Sequence, residues 1–299
     1  MRTALAAFLA ALAGMTSATA HAFCRLTTEM PIPGATCATD GKGLSWQRQC
    51  ISFSMIDRGR PEPPFELIRD VADISFRTWT DVDCGAGKVA LDVRQTSDLA
   101  MCEDPEYSTH GPNANTIIFV TDWSGRDLPT DAFGLTLVWH NPDTGEIYDA
   151  DMQLNEKLGT PAICDNGCPS GGVDLQNVMT HEAGHFFGLG HSDVSEATMS
   201  PRATMGETSK RDLARDDIEG LCSIYGDRVK TACEMSDFLP NHGFTTTCSE
   251  PTAAGASSSG CSVTAVGNHA GWQTHALVIA LFLFRLQRRR RFQTRPGLA

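Results

Sequence analysis

His181, Glu182, His185, Gly188 and His191 have the residue types and the spacing to hold a metal ion beside a base. His181 and His185 are four positions apart, so on a helix both imidazoles leave one face and can close on a single cation. Gly188 tolerates positive φ, which lets the chain leave the helix and turn back. His191 then supplies a third nitrogen from a different direction. Three such ligands suit Zn2+ and leave its fourth position to water, the pattern of a reactive centre and not of a structural one. Glu182, beside His181, can take a proton from that water. The competing account is an amphipathic helix with chance histidines; Gly188 and His191 at fixed spacing weigh against it.

The string H-E-x-x-H-x-x-G-x-x-H over residues 181–191 resembles the extended signature of the metzincin peptidases. The following stretch, Ser192 through Ala197, Met199 and Pro201, resembles the matrixin branch, in which a tight turn sets a methionine beneath the zinc. By that resemblance Met199 is the Met-turn residue. The astacin branch continues with Glu after the third histidine and Tyr two residues after the methionine, where this chain has Ser192 and Pro201. Residues 215–226 resemble the closing helix of a matrixin domain, with Asp216-Asp217-Ile218 and Ile224-Tyr225-Gly226. Ile218, Leu221, Cys222 and Tyr225 fall on one stripe. Gly226 stands where a C′ glycine belongs, and the helix dipole accounts for the acidic pair at the start.

The resemblance implies a zinc metalloendopeptidase with one catalytic Zn2+. Zinc lowers the pKa of its water to about 7 and polarises the scissile carbonyl. Glu182 acts as general base and then as general acid toward the leaving amine. It further implies that Gly134, Leu135, Thr136, Leu137 and Val138 belong to an edge strand along which a polypeptide substrate adds. A simple half-buried strand fits those residues equally well. Substrate preference is expected to depend on residues 200–211. The P-R-C-G-x-P-D motif of matrixin prodomains and the H-x-D…H…H pattern of their structural zinc are missing. The alternative class is a catalytically silent surface binding module on a metzincin fold, which would be expected to have lost Glu182 or a histidine.

The chain's ends bear on where it works. Residues 1–22 read as a signal peptide: Arg2, an apolar run, then Ala20-His21-Ala22. The 11 cysteines of an exported chain imply disulfides, with Cys164 and Cys168 closing a local loop. A Cys-containing segment (23–45) precedes the catalytic domain (46–228), and a second such segment (229–250) leads to an Ala/Ser/Gly-rich linker (251–260). Residues 261–299 order Gly260-Cys261, a short apolar run and six arginines, resembling a myxobacterial C-terminal sorting signal that retains a protein at the envelope. A disordered basic tail is the plainer account.

All 36 acidic residues lie between 23 and 260, against 17 of the 24 basic ones, so that body carries 17 − 36 = −19. Such a charge excludes nucleic acid and anionic membrane as expected partners. Polypeptide substrates and a secreted or surface-anchored monomer are expected instead. Asp149, Asp151 and Asp165 are candidates for Ca2+, with a solvated acidic face as the bland account.

The elements that must position these residues follow from periodicity. Strands are expected near 49–56, 89–93, 116–121, 135–139 and 148–154, with a helix over 64–79. Asp174 can cap the metal-binding helix, whose back face presents Met179, Ala183, Phe186 and Phe187. The order matches an α/β (α+β) metzincin catalytic domain: a twisted five-stranded mixed sheet, an active-site helix and a C-terminal helix.

Overall fold

The computed structural model describes residues 23–244, apart from 32–34, 36, 58, 60–61, 103, 106, 109, 127 and 241–242, with the backbone of 259–261 and 264–265. The expected signal peptide and the arginine-rich end lie outside the described residues. The chain enters through β1 (Ser45–Trp46), β2 (Cys50–Met55) and α1 (Phe65–Thr80). Next come β3 (Asp92–Gln95), β4 (Asn115–Val120), β5 (Gly134–His140) and β6 (Glu146–Asn155). β7 (Thr160–Ala162) and β8 (Gly172–Asp174) lead into α2 (Leu175–Phe186); β9 (Arg202–Ala203), α3 (Arg215–Tyr225), β10 (Ser259–Cys261) and β11 (Thr264–Ala265) follow.

The five expected strands form a mixed sheet in the order β5-β6-β4-β2-β3, and two short strands enlarge it to seven: β1 beside β6 and β10 outside β5. β2, β3, β4 and β6 pair in parallel, while β5 is antiparallel to β6. The strand expected at 89–93 begins later, at Asp92. Val89 N–H is taken by Val82 O and Leu91 N–H by Val89 O, so these buried residues turn locally before joining the ladder.

Helices α1 and α2 cover one face of the sheet. α1 buries Ile68, Val71, Ala72, Phe76 and Trp79, a 3.6-residue stripe. Phe76 stacks on Phe53 of β2 at 4.5 Å and meets Phe186 of α2 edge-on at 4.9 Å. Each such ring, fully buried, contributes roughly 1.5–3 kcal/mol. Disulfides fix the periphery: Cys24–Cys37, Cys50–Cys233, Cys84–Cys222 and the expected Cys164–Cys168. Cys102 is disulfide-bonded as well. Among the described disulfides Cys50–Cys233, 183 residues apart, constrains the unfolded chain most, about 5 kcal/mol in the chain-entropy account.

α3 anchors this arrangement through Tyr225. Its buried hydroxyl donates to Phe187 O at 2.9 Å and accepts from Trp46 N–H at 3.1 Å. Burial pushes the phenol up to about 12. The unfolded value is about 10, so the contribution of the neutral phenol is complete below about pH 10 and disappears as pH rises through about 12. Two units correspond to roughly 2–3 kcal/mol. The native chain should therefore lose that much stability across this window. Tyr225→Phe, less stable at neutral pH, should lose less over the same window. Denaturant midpoints at several alkaline pH values check this, and parallel declines in the two proteins would refute it.

Candidate active site

α2 begins where Asp174 accepts the backbone N–H of Asn177 at 2.8 Å, a side-chain N-cap. The same carboxylate is gripped by Arg211, whose Nε and Nη2 lie 2.8 and 2.5 Å from its two oxygens. The helix ends in a Schellman motif: Leu189 N–H donates to Gly184 O and Gly188 N–H to His185 O, at 3.0 and 2.9 Å. Gly188 has φ 87°, and a Cβ there would stand 2.5 Å from Leu44 O. That position is thus confined to glycine twice over, by conformation and by space. Two of the helix's last carbonyls are taken from outside, Phe186 O by Trp46 Nε1 at 2.8 Å and Phe187 O by Tyr225.

This exit brings His191 back to His181 and His185. Their potential ligand atoms lie within 4.8 Å of one another, with ring centroids 4.9 to 5.4 Å apart. His181 Nδ1 faces Thr198 O at 2.6 Å and His185 Nδ1 faces Leu189 O at 2.8 Å. A carbonyl only accepts, so each Nδ1 carries the proton and each Nε2 keeps its lone pair. Those two Nε2 atoms are buried and have no hydrogen-bond partner among the described residues. Burial, and next the neighbouring imidazole, holds both rings well below the ordinary histidine range, which keeps them in the neutral form that binds a metal. Orphaned, converging imidazole nitrogens fit a zinc ion.

Glu182 is buried beside them. Thr136 Oγ1 of β5 donates to Glu182 Oε2 at 2.7 Å and lies 3.1 Å from Glu182 O. Gly134 makes room for the same carboxylate: a Cβ there would approach Oε1 to 2.8 Å. The residues expected on the edge strand therefore touch the site through Gly134 and Thr136, while Leu135, Leu137 and Val138 continue the strand. His140 stands at its end, past an irregularity in the ladder, and is not drawn into the cluster.

A family model for matrixin matches residues 45–226. The chain belongs to the matrixin family. Membership implies a catalytic zinc, for which the histidine cluster is fitted. This matrixin is 49% identical to Metalloendoproteinase 2-MMP of Arabidopsis thaliana over 172 residues, 55% of this chain and 38% of the relative. It is 32% identical to human Matrix metalloproteinase-16 over 197 residues, 62% of this chain and 28% of the relative. Matrix metalloproteinase-2 of Drosophila melanogaster is 27% identical over 192 residues, 64% and 22% respectively. The match thus spans well under half the length of each of these relatives.

Met199 lies under α2, and its packing explains a residue inside the histidine motif. A Cβ at Gly184 would stand 2.1 Å from Met199 Sδ and 2.8 Å from Trp79 Cζ2. Alanine normally gains about 1 kcal/mol over glycine within a helix, but overpacking costs about 1–3 kcal/mol. Gly184→Ala should therefore lower stability, read as a reduced urea midpoint. A midpoint at or above that of the native protein would mean that Met199 repacks freely.

Several expectations change on contact with the structure. The helix dipole is an incomplete account of the acidic pair. Asp217 accepts from the backbone N–H groups of Thr198, Met199 and Ala214 at 2.7, 3.0 and 2.8 Å, and so fixes the Met199 turn. Asp216 accepts from Ser192 Oγ at 2.6 Å, next to His191. Gly226 is right-handed, with φ −65°; glycine is required there because a Cβ would meet Cys222 O at 2.6 Å. The calcium candidates do not converge. Asp165 pairs with Arg211 at 3.3 Å, whereas Asp149 and Asp151 are buried on β6, Asp151 accepting from Thr116. Cys24 and Cys37 are bonded to each other, so neither offers a thiolate to the metal.

Lys210 was not singled out by sequence. It is buried and donates to Ala197 O, Thr198 O and Ser200 O at 3.4, 3.2 and 2.6 Å. Its ammonium thus gathers the carbonyls of the Met199 turn, and burial lowers its pKa to about 8.

Proposed function

We propose that this matrixin is an exported zinc-dependent endopeptidase that hydrolyses peptide bonds in polypeptides. The observation that carries the reading is the convergence of the ligand atoms of His181, His185 and His191 within 4.8 Å of one another, on and next to the helix that buries Glu182. The three imidazoles would hold the metal, and Thr198 O and Leu189 O orient two of them. Zinc bound there supplies Lewis acidity toward the scissile carbonyl and acidifies water. Glu182, aimed by Thr136, accepts the proton of the attacking water and returns it to the departing amine. Met199 forms the apolar floor under the histidines, and β5, whose outer side pairs with β10 in this structure, aligns the substrate backbone by strand addition when a substrate takes that place. The disulfides among the described cysteines support an oxidising, extracytoplasmic location, as does the sequence of residues 1–22. Envelope retention through 261–299 belongs to the same reading.

The test is chelation of the purified protein with casein as substrate. Hydrolysis should vanish with the metal and return when about one equivalent of Zn2+ is restored. Casein hydrolysis that survives complete metal removal would overturn the proposal.

A further inference from the structure

Lys210 is buried, yet among the described residues its ammonium has no carboxylate for a partner. All three of its N–H groups go to carbonyls of the Met199 turn, Ala197 O, Thr198 O and Ser200 O, at 3.4, 3.2 and 2.6 Å. Those carbonyls need donors, but a neutral amide or a water would serve. A buried charge costs more than either. What the charge adds is found at Thr198 O, where His181 Nδ1–H donates to the same oxygen at 2.6 Å. Thr198 is held in place, its N–H donating to Asp217 Oδ2 at 2.7 Å and its hydroxyl to Asp212 O at 2.9 Å. Lys210 is fixed as well, its own N–H donating to Asn177 Oδ1 at 2.8 Å. Asn177 precedes His181 by four residues and shares its face of α2. Leu189 O, which faces His185 Nδ1, is not among the partners of Lys210.

We propose that Lys210 is a positioning residue of the metal centre, whose ammonium polarises the Thr198 carbonyl and so limits the electron density that His181 passes to a bound metal. This rests on the zinc-peptidase reading above. A carbonyl that accepts an imidazole N–H raises the basicity of the other ring nitrogen. A cation on that carbonyl draws its lone-pair density away, so Thr198 O accepts less strongly from His181 and Nε2 donates less. A weaker nitrogen donor leaves more Lewis acidity at the site, and a nearby positive charge favours the deprotonated form of water there. Both consequences of the ammonium run in one direction. The carboxylates of Glu207 and Asp217 favour the charged form of Lys210. The ammonium in turn disfavours protonation of His181 and His185. Of these two imidazoles, only that of His181 shares an oxygen with it.

The experiment compares the full zinc-loaded chain with Lys210→Met, which keeps the length but neither charge nor donors, and Lys210→Arg, which keeps the charge. Proton NMR reads the imidazole N–H resonances of His181 and His185, and casein hydrolysis against pH gives the acid limb of kcat/KM. In Lys210→Met the His181 resonance should move downfield, toward a stronger hydrogen bond, while that of His185 stays. The acid limb should rise by at least about half a pH unit. Lys210→Arg should stay close to the native values. An unchanged or upfield His181 resonance, an unmoved acid limb, or a Lys210→Arg protein that shifts as far as Lys210→Met overturns the proposal. Lower thermal stability with both readouts unmoved makes Lys210 a packing residue and overturns it too. If Lys210→Met does not fold, the native protein decides. Raising the pH through about 8, where burial lets the Lys210 ammonium lose its proton, should shift the His181 resonance alone. Burial keeps His181 neutral throughout that range. A His181 resonance that is constant between about pH 7 and 10 overturns the proposal. A native chain inert toward casein whose His181 resonance responds as stated overturns the peptidase reading and leaves the coupling of Lys210 to His181 supported.

Discussion

Glu182→Ala should reduce peptide hydrolysis by at least about 10²–10⁴-fold, the usual contribution of a positioned acid–base group. That is roughly 2.7–5.5 kcal/mol of transition-state stabilisation. Zinc should remain at about one equivalent, because the three imidazoles that fit the metal are untouched. Without the carboxylate the attacking water has no proton acceptor, and the amine must leave unprotonated. Glu182→Gln refines the test. It keeps the shape and an oxygen that can still accept from Thr136 Oγ1, which donates to Glu182 at 2.7 Å, but it cannot take a proton. Both variants should be equally inactive if proton transfer is the role. Recovery of most activity in Glu182→Gln would mean that the carboxylate acts by filling space.

What sequence reveals here divides along local and non-local lines. The three histidines and Gly188 were legible because helix geometry fixes residues four apart, and because a glycine that must turn back leaves few alternatives. The strands at β2, β5 and β6 were legible from alternation, β4 from its short buried run, and Asp174 from its capping chemistry. Residues whose role depends on distant partners were not. Asp217 looks like an ordinary helix-start carboxylate until Thr198 and Met199, 19 and 18 positions away, present their N–H groups to it. Gly184 reads as an unremarked position in the motif, and only the approach of Met199 and Trp79 explains it. Thr136 alternates like any strand residue, yet its face meets α2. Nor does any local pattern announce that Gly260 and Cys261 lie against Leu137 and Thr136, more than 120 residues earlier. Edge pairing follows from which ladder positions the rest of the fold leaves open.

His185→Ala should lose the metal, in contrast to Glu182→Ala. Removing one of three nitrogen donors leaves a two-nitrogen site, and zinc content of the dialysed variant should fall well below about one equivalent, with activity at background. The substitution also leaves Leu189 O without the imidazole that faces it at 2.8 Å, so some loss of stability, about 1–3 kcal/mol, is expected from the buried carbonyl alone. Loss of activity by itself would therefore not separate a ligand from a packing residue. The response to a chelator does. A ligand that binds only the folded state stabilises it by RT ln(1 + [L]/Kd), about 4 kcal/mol when free ligand is a thousandfold above Kd. The native protein should accordingly show a marked drop in melting temperature when its zinc is stripped. His185→Ala, already metal-free, should melt at the same temperature with and without chelator. A chelator-dependent shift as large as that of the native protein would mean that the metal is held without His185.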